Sequence, residues 1–177
     1  MNQPDFSAEV TKIKNMVEKP DLIMTAAYEP DFPAFIQQLR AAGVNTPVYG
    51  ADALNTPTIK GLGTLADGVV FTAAGYAEPG SKLEAFDKSF AKITGHAPES
   101  TYEVNGYEIG LILDAAVKAA GSDEPRAIRD AIAATKDFDG VTGKITYAGT
   151  TGMPLRPVVL MRYEGGMPHY VKTEVPA

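Results

Sequence analysis

The chain contains no cysteine, and that single absence excludes disulfides, thiolate metal sites and thiol nucleophiles. Histidine is scarce. His96 and His169 stand far apart, which gives no basis for a multi-histidine metal site. Positive charge is in deficit: 16 Lys and Arg against 22 Asp and Glu leave a formal net charge of -6, with no basic cluster. Such a chain cannot neutralise a phosphate backbone, so no nucleic-acid partner is expected. No apolar run reaches the roughly 18–20 residues needed to cross a bilayer. The opening Met1-Asn2-Gln3-Pro4-Asp5 has neither the basic nor the apolar region of a leader, so no signal peptide is expected in this chain. What is present is 177 residues, 45% hydrophobic and 21% charged, enough for one sizeable core or two small lobes.

Hydrophobic period counting gives a mixed pattern. Phe6, Val10, Ile13, Met16 and Val17 recur at helical spacing, so a helix is expected over roughly 6–18, closed by Lys19-Pro20. Leu22-Ile23-Met24 reads as a short buried strand. Phe32, Phe35, Ile36 and Leu39 mark a second helix, which Gly43 stops. Pro47 to Gly50 is a strand, Thr56-Pro57 a helix start with Thr as N-cap, and Gly68 to Thr72 a third strand. A helix over about 80–94 carries Leu83, Phe86, Phe90 and Ile93 on one face. The next, over about 101–120, opens on the capping box Ser100-Thr101-Tyr102-Glu103 and ends at Gly121. Its expected apolar face is Val104, Ile109, Ile112, Leu113 and Val117. A third helix, about 125–135, follows Pro125. Lys144 to Tyr147 is a short strand, and Val158 to Tyr163 with Tyr170 to Thr173 flank Gly165-Gly166 as a hairpin.

Alternating strands and helices argue a parallel α/β sheet. The chain opens on a helix with no strand before it to pack on, so it is expected to be incomplete at its N-terminus. The candidate domain crossings lie near 50–56 and 148–157.

Several stretches then match, in order, a known family. They are Asp5-Phe6-Ser7-Ala8 with its helix, Pro20-Asp21-Leu22-Ile23, Tyr28-Glu29-Pro30, Tyr49-Gly50-Ala51-Asp52 and Asp67-Gly68-Val69-Val70. The helix near Tyr102, Phe138-Asp139-Gly140-Val141-Thr142-Gly143-Lys144-Ile145 and Arg156-Pro157-Val158-Val159 complete the series. The chain resembles the C-terminal half of the branched-chain amino-acid type of periplasmic substrate-binding protein, the receptor of an ABC importer. The resemblance implies a type I periplasmic binding protein fold. Here that means α/β parts of two three-layer lobes joined by three crossovers, with residues 1–53 in the second lobe, 54–150 in the first and 151–177 returning to the second.

It also implies an interlobe site for an amino acid or similar small polar ligand, no cofactor, an extracytoplasmic parent and a membrane permease as partner. Tyr28, an aromatic just after a strand, would contact the ligand. Asp52, an acid after the next strand, would bind its ammonium; the family more often has Glu there. Tyr102 matches an aromatic at the cleft edge, with Thr25 and Leu54 flanking. The ligand α-carboxylate would be held mainly by the half this chain lacks. By composition alone, Asp52 reads rather as a cap for the helix near 56, and Tyr28 rather as a half-buried loop aromatic. Tyr102 reads equally as first-turn packing. A ligand-sensing regulator of the same fold and an isolated α/β interaction domain are the alternatives.

No catalytic motif competes. Gly61-Leu62-Gly63 lacks phosphate-loop spacing, and no serine sits in a nucleophile elbow. Glu99, Glu103 and Glu108 read as a solvated helix start. His96 and His169 read as exposed, and Gly106 as a site of close helix packing. Open sheet edges and uncovered helix faces predict a homodimer of the fragment.

Overall fold

A computed structural model describes residues 4–175. The leader reading on Met1–Asp5 lies in part outside them. The chain divides into two compact units, Met1–Ala73 with Leu160–Lys172 and Ala74–Val159 with Thr173–Ala177. These divisions differ from crossings at 53/54 and 150/151. The reason is sheet pairing. β3 (Val69–Ala73) lies parallel to β2 (Val48–Gly50), with Val48, Tyr49 and Gly50 opposite Val69, Val70 and Phe71, so residues 54–73 stay with the first unit. The later division falls inside β6 (Val158–Glu164), which joins that same sheet.

The first unit is built on five strands in the order β1-β2-β3-β6-β7, where β1 is Ile23–Met24 and β7 is Met167–Glu174. β1 and β2 are also parallel, Ile23 opposite Val48 and Met24 opposite Tyr49. Between them runs α2 (Asp31–Ala41), whose Phe32, Phe35, Ile36 and Leu39 sit at i, i+3, i+4 and i+7 and are all buried. Gly43, at φ 79°, ends it as expected. The core adds Val48, Val69, Phe71, Leu54, Ile59 and Tyr163, each fully buried.

α1 is shorter than its periodicity suggests, covering only Ser7–Lys14. Val10 is its one buried residue, and Phe6 meets Phe35 edge-on at 5.7 Å. Past Ile13 the apolar pattern has nothing to pack on: Val17 is fully exposed. Tertiary burial, not periodicity, sets that end.

The β6–β7 hairpin turns on Gly165 and Gly166, both at positive φ (59° and 77°), as a two-residue turn of this hand requires. Gly166 is constrained twice. A Cβ there would sit 2.9 Å from the Gly63 Cα and 3.0 Å from its carbonyl carbon, whereas one on Gly165 meets nothing within 4 Å. Gly166→Ala is therefore expected to destabilise the protein by about 1–3 kcal/mol, and clearly more than Gly165→Ala, which carries only the conformational penalty. Equal urea midpoints for the two variants would contradict this.

The second unit holds α4 (Lys82–Thr94), α5 (Tyr102–Ala120), α6 (Pro125–Ala133) and an antiparallel pair, β4 (Phe138–Asp139) with β5 (Lys144–Ile145). β4 is too short to show a period and is not legible in the sequence. α4 starts after Ser81, whose hydroxyl accepts the Glu84 N–H (3.1 Å), and stops at left-handed Gly95. The capping box of α5 is shifted by one residue: Thr101 is the N-cap. The Glu103 carboxylate accepts the Ser100 hydroxyl (2.7 Å) and the Glu99 N–H (3.0 Å), and Ser100 Oγ accepts the Tyr102 N–H (3.1 Å). Burial pushes the Glu103 carboxyl up, but these hydrogen bonds outweigh it and hold the group below its ordinary value.

The apolar face of α5 needs correction. The buried stripe is Val104, Glu108, Ile112 and Ala116, at successive i, i+4 positions, and Ile109, Leu113 and Val117 point outward. α5 is apolar on two sides, and periodicity cannot say which side finds a partner.

Candidate functional site

Because β1 and β2 run parallel, the loops that follow them leave the same edge of the sheet. The first loop begins at Thr25, whose N–H donates to the Tyr49 carbonyl (2.9 Å) and whose hydroxyl accepts the Ala27 N–H (3.0 Å), turning the chain. Tyr28 follows. Its carbonyl accepts the Phe32 N–H (2.8 Å), so its backbone is held at the start of α2, while its side chain is 64% exposed.

The second loop begins at Asp52, the first residue of a 3-10 turn Asp52–Leu54, with an exposed side chain. The turn is held from beneath. Leu54 is fully buried, and its carbonyl accepts the hydroxyl of Tyr163 (2.9 Å). Next comes the short helix α3 (Pro57–Lys60), capped by Thr56, whose hydroxyl accepts the Ile59 N–H (3.4 Å). Asp52 is therefore not the cap of that helix. The Thr56 hydroxyl also donates to the Glu29 carboxylate, which ties the loop carrying Tyr28 to the loop carrying Asp52.

Two of the flanking residues have structural roles. Leu54 is core, and the Thr25 hydroxyl shapes its own turn. Tyr102 lies on the second unit at the first position of α5, 47% exposed. The arrangement on the first unit is an aromatic ring and a carboxylate presented by two linked loops at the carboxyl end of parallel strands, the place where open α/β sheets bind ligands. It holds a binding chemistry without an obvious nucleophile or base pair. Among the described residues, no group of three or more His, Asp or Glu converges on a metal position.

A sequence model of the periplasmic binding protein family matches residues 1–167. The chain belongs to that family. Solved structures agree on the type I fold of this binding protein. It superposes on the leucine binding protein LivK of Thermotoga maritima with a TM-score of 0.84 at 23% identity, covering 99% of this chain and 49% of that one. LivJ of Streptococcus pneumoniae, solved in complex with isoleucine, gives 0.79 at 24% identity, covering 97% and 48%. A solute binding protein of R. palustris, in complex with benzoate, gives 0.78 at 24%, covering 99% and 49%. No curated protein matches the chain. The chain spans about half the length of these structures.

One cluster on the second unit is not legible in the sequence. Glu108, expected at a solvated helix start, is instead 2% exposed. One carboxylate oxygen accepts the Thr142 N–H (2.7 Å) and hydroxyl (2.9 Å), and the other faces the Arg156 guanidinium at 3.2 Å. Two of the family-like stretches, those around Gly140 and Arg156, thus converge on one buried acid. A Cβ at Gly140 would stand 2.7 Å from the Glu108 Oε1 and 2.9 Å from the Gly143 carbonyl, which explains glycine there. The available signal was spacing: 108 is i+4 from Val104 and i-4 from Ile112.

Proposed function

We propose that this chain is the C-terminal half of the solute-binding component of an ABC importer, acting outside the cytoplasm. It would hold an amino acid or similarly small polar ligand between two lobes. In this reading Met1–Ala73 with Leu160–Lys172 belongs to the second lobe and Ala74–Val159 to the first. The observation that carries the proposal is the pair of linked loops placing Tyr28 and Asp52 at one sheet edge. A carboxylate facing a desolvated ammonium makes a charge-assisted hydrogen bond. A tyrosine ring adds apolar contact and cation–π attraction. Tyr102, at the start of α5 on the second unit, is the third candidate ligand contact. The three passages of the chain between its units suit hinge closure around the ligand, after which the closed form docks on the membrane permease.

Titration calorimetry on the protein that joins this chain to the other half of the fold tests the reading, against a panel of amino acids, amides and small carboxylates. One amino acid is expected to bind. Asp52→Asn should weaken it by about 10–100-fold, and Tyr28→Ala by about tenfold. Absence of binding to every member of the panel would overturn the assignment. The 177-residue chain alone is expected to bind none of them at micromolar affinity, because it spans about half of the fold.

A further inference from the structure

Three side chains of the second unit hold one another, and the proposed ligand site uses none of them. The Arg156 guanidinium donates to the Thr142 hydroxyl and faces a Glu108 oxygen at 3.2 Å. That hydroxyl in turn donates to Glu108, 2.9 Å from one carboxylate oxygen and 3.0 Å from the other. The Thr142 N–H donates to the same acid at 2.7 Å. Every donor points one way, from the cation through the hydroxyl to the anion. An intact buried ion pair adds little net stability, because desolvation offsets the attraction. Its value lies in the geometry it fixes.

What it fixes is the place where the chain leaves the unit. The chain passes between its units after Ala73, after Val159 and after Lys172. Arg156 and Pro157 stand just before the second passage. Pro157 is pressed onto the β4–β5 turn, where a Cβ on Gly143 would lie 2.9 Å from its Cγ. Gly75 stands just after the first passage, against the same threonine: a Cβ there would lie 3.2 Å from the Thr142 Cγ2. One cavity of about 220 Å³ on the second unit has Gly75, Thr142, Pro157, Val159 and Thr173 in its wall, so residues beside all three passages meet around Thr142.

A hinge absorbs its change of φ and ψ over a few residues at the ends of elements. With Gly75 and Pro157 held, the residues left to bend at these two passages are Ala73–Ala74 and Val158–Leu160. Each further backbone residue set free would multiply the accessible conformations about 5–30-fold.

We propose that Glu108, Thr142 and Arg156 are positioning residues that form the hinge anchor of the second unit: they root the chain at Gly75 and Pro157 and confine bending to the residues beyond. For its purpose this rests on the solute-binding reading, in which two lobes close around a ligand.

Electron spin resonance distance measurement tests it on the ligand-free protein that joins this chain to the other half of the fold. This chain has no cysteine of its own, so Lys12→Cys on the first unit and Arg126→Cys on the second carry the spin labels. Arg156→Met would strand the buried acid, so gentler variants serve. Arg156→Lys keeps the charge but loses the planar fork that reaches both Thr142 and Glu108. Thr142→Val keeps the shape and the N–H but loses the hydroxyl. Each should make the distance distribution about twice as broad as in the wild type, with the circular dichroism spectrum kept. Val104→Ala is the control. Val104 lies on the same buried stripe of α5 and takes no part in these hydrogen bonds. It should lower the unfolding midpoint and leave the width unchanged. Wild-type widths in both Arg156→Lys and Thr142→Val overturn the proposal, and so does equal broadening by Val104→Ala, which would make the cluster ordinary core. The measurement uses no ligand, so absence of binding across the calorimetric panel overturns the solute-binding reading while these widths still decide the anchor.

Discussion

Arg156→Met is expected to destabilise the second unit by about 3–5 kcal/mol, because it strands a buried carboxylate. Glu108 has almost no contact with solvent, and Arg156 supplies its only charged partner among the described hydrogen bonds and ion pairs. Thr142 can share its N–H and hydroxyl with the acid, but neutral donors do not replace a positive charge in a low-dielectric site. The reverse truncation leaves a different defect. Arg156 is about a quarter exposed and can turn to water, so Glu108→Leu should cost less, chiefly through the Thr142 N–H left without its acceptor. Combining the two substitutions should recover part of the loss, the sign of a coupled pair. Urea unfolding of the three variants measures this. A change below about 1 kcal/mol for Arg156→Met would show that solvent reaches Glu108 freely.

Tyr163→Ala should be comparably severe in the first unit, at about 3–5 kcal/mol, and Tyr163→Phe should cost about 1–3 kcal/mol. The ring is fully buried and lies 5.2 Å from that of Phe71, centroid to centroid. The hydroxyl serves the Leu54 carbonyl, so the Phe variant leaves a buried acceptor bare at the turn that begins with Asp52. Ligand affinity should fall with it in the protein that joins both halves, although Tyr163 is not a binding residue. Burial also pushes the Tyr163 phenol well above its ordinary value. The sign follows directly: the folded state resists ionisation, so stability is intact below the ordinary tyrosine pKa of about 10 and falls as pH rises above it. Tyr163→Phe removes that group and should flatten the alkaline limb of the stability profile. An unchanged limb would assign the alkaline loss to other groups.

Local signals carried most of the element reading. Thr56-Pro57, Gly43, Gly95, Gly121 and the Gly165-Gly166 pair each fix backbone conformation within a few residues, and the helix starts and stops follow them. The linked motifs from Tyr28 to Arg156 also placed the chain in the periplasmic binding protein family, which the match over residues 1–167 supports.

What local signals left open depends on what an element packs against. α1 loses its last turn where burial runs out, Met16 being 44% exposed and Val17 fully exposed. The first unit keeps β3 because Val69–Phe71 pair with Val48–Gly50, a long-range choice that no window of sequence displays.

Composition alone therefore determined that this chain contains no thiol and carries a net charge of -6, and the motif order pointed to its family. The tertiary structure decided that Glu108 is a buried acid paired with Arg156 and that Leu54 is core beneath the Asp52 turn. It also decided that one apolar face of α5 is buried and the other open. The physical reason is the same in each case: a side chain's period says which residues share a face, but only the partner across that face decides whether water is removed from it.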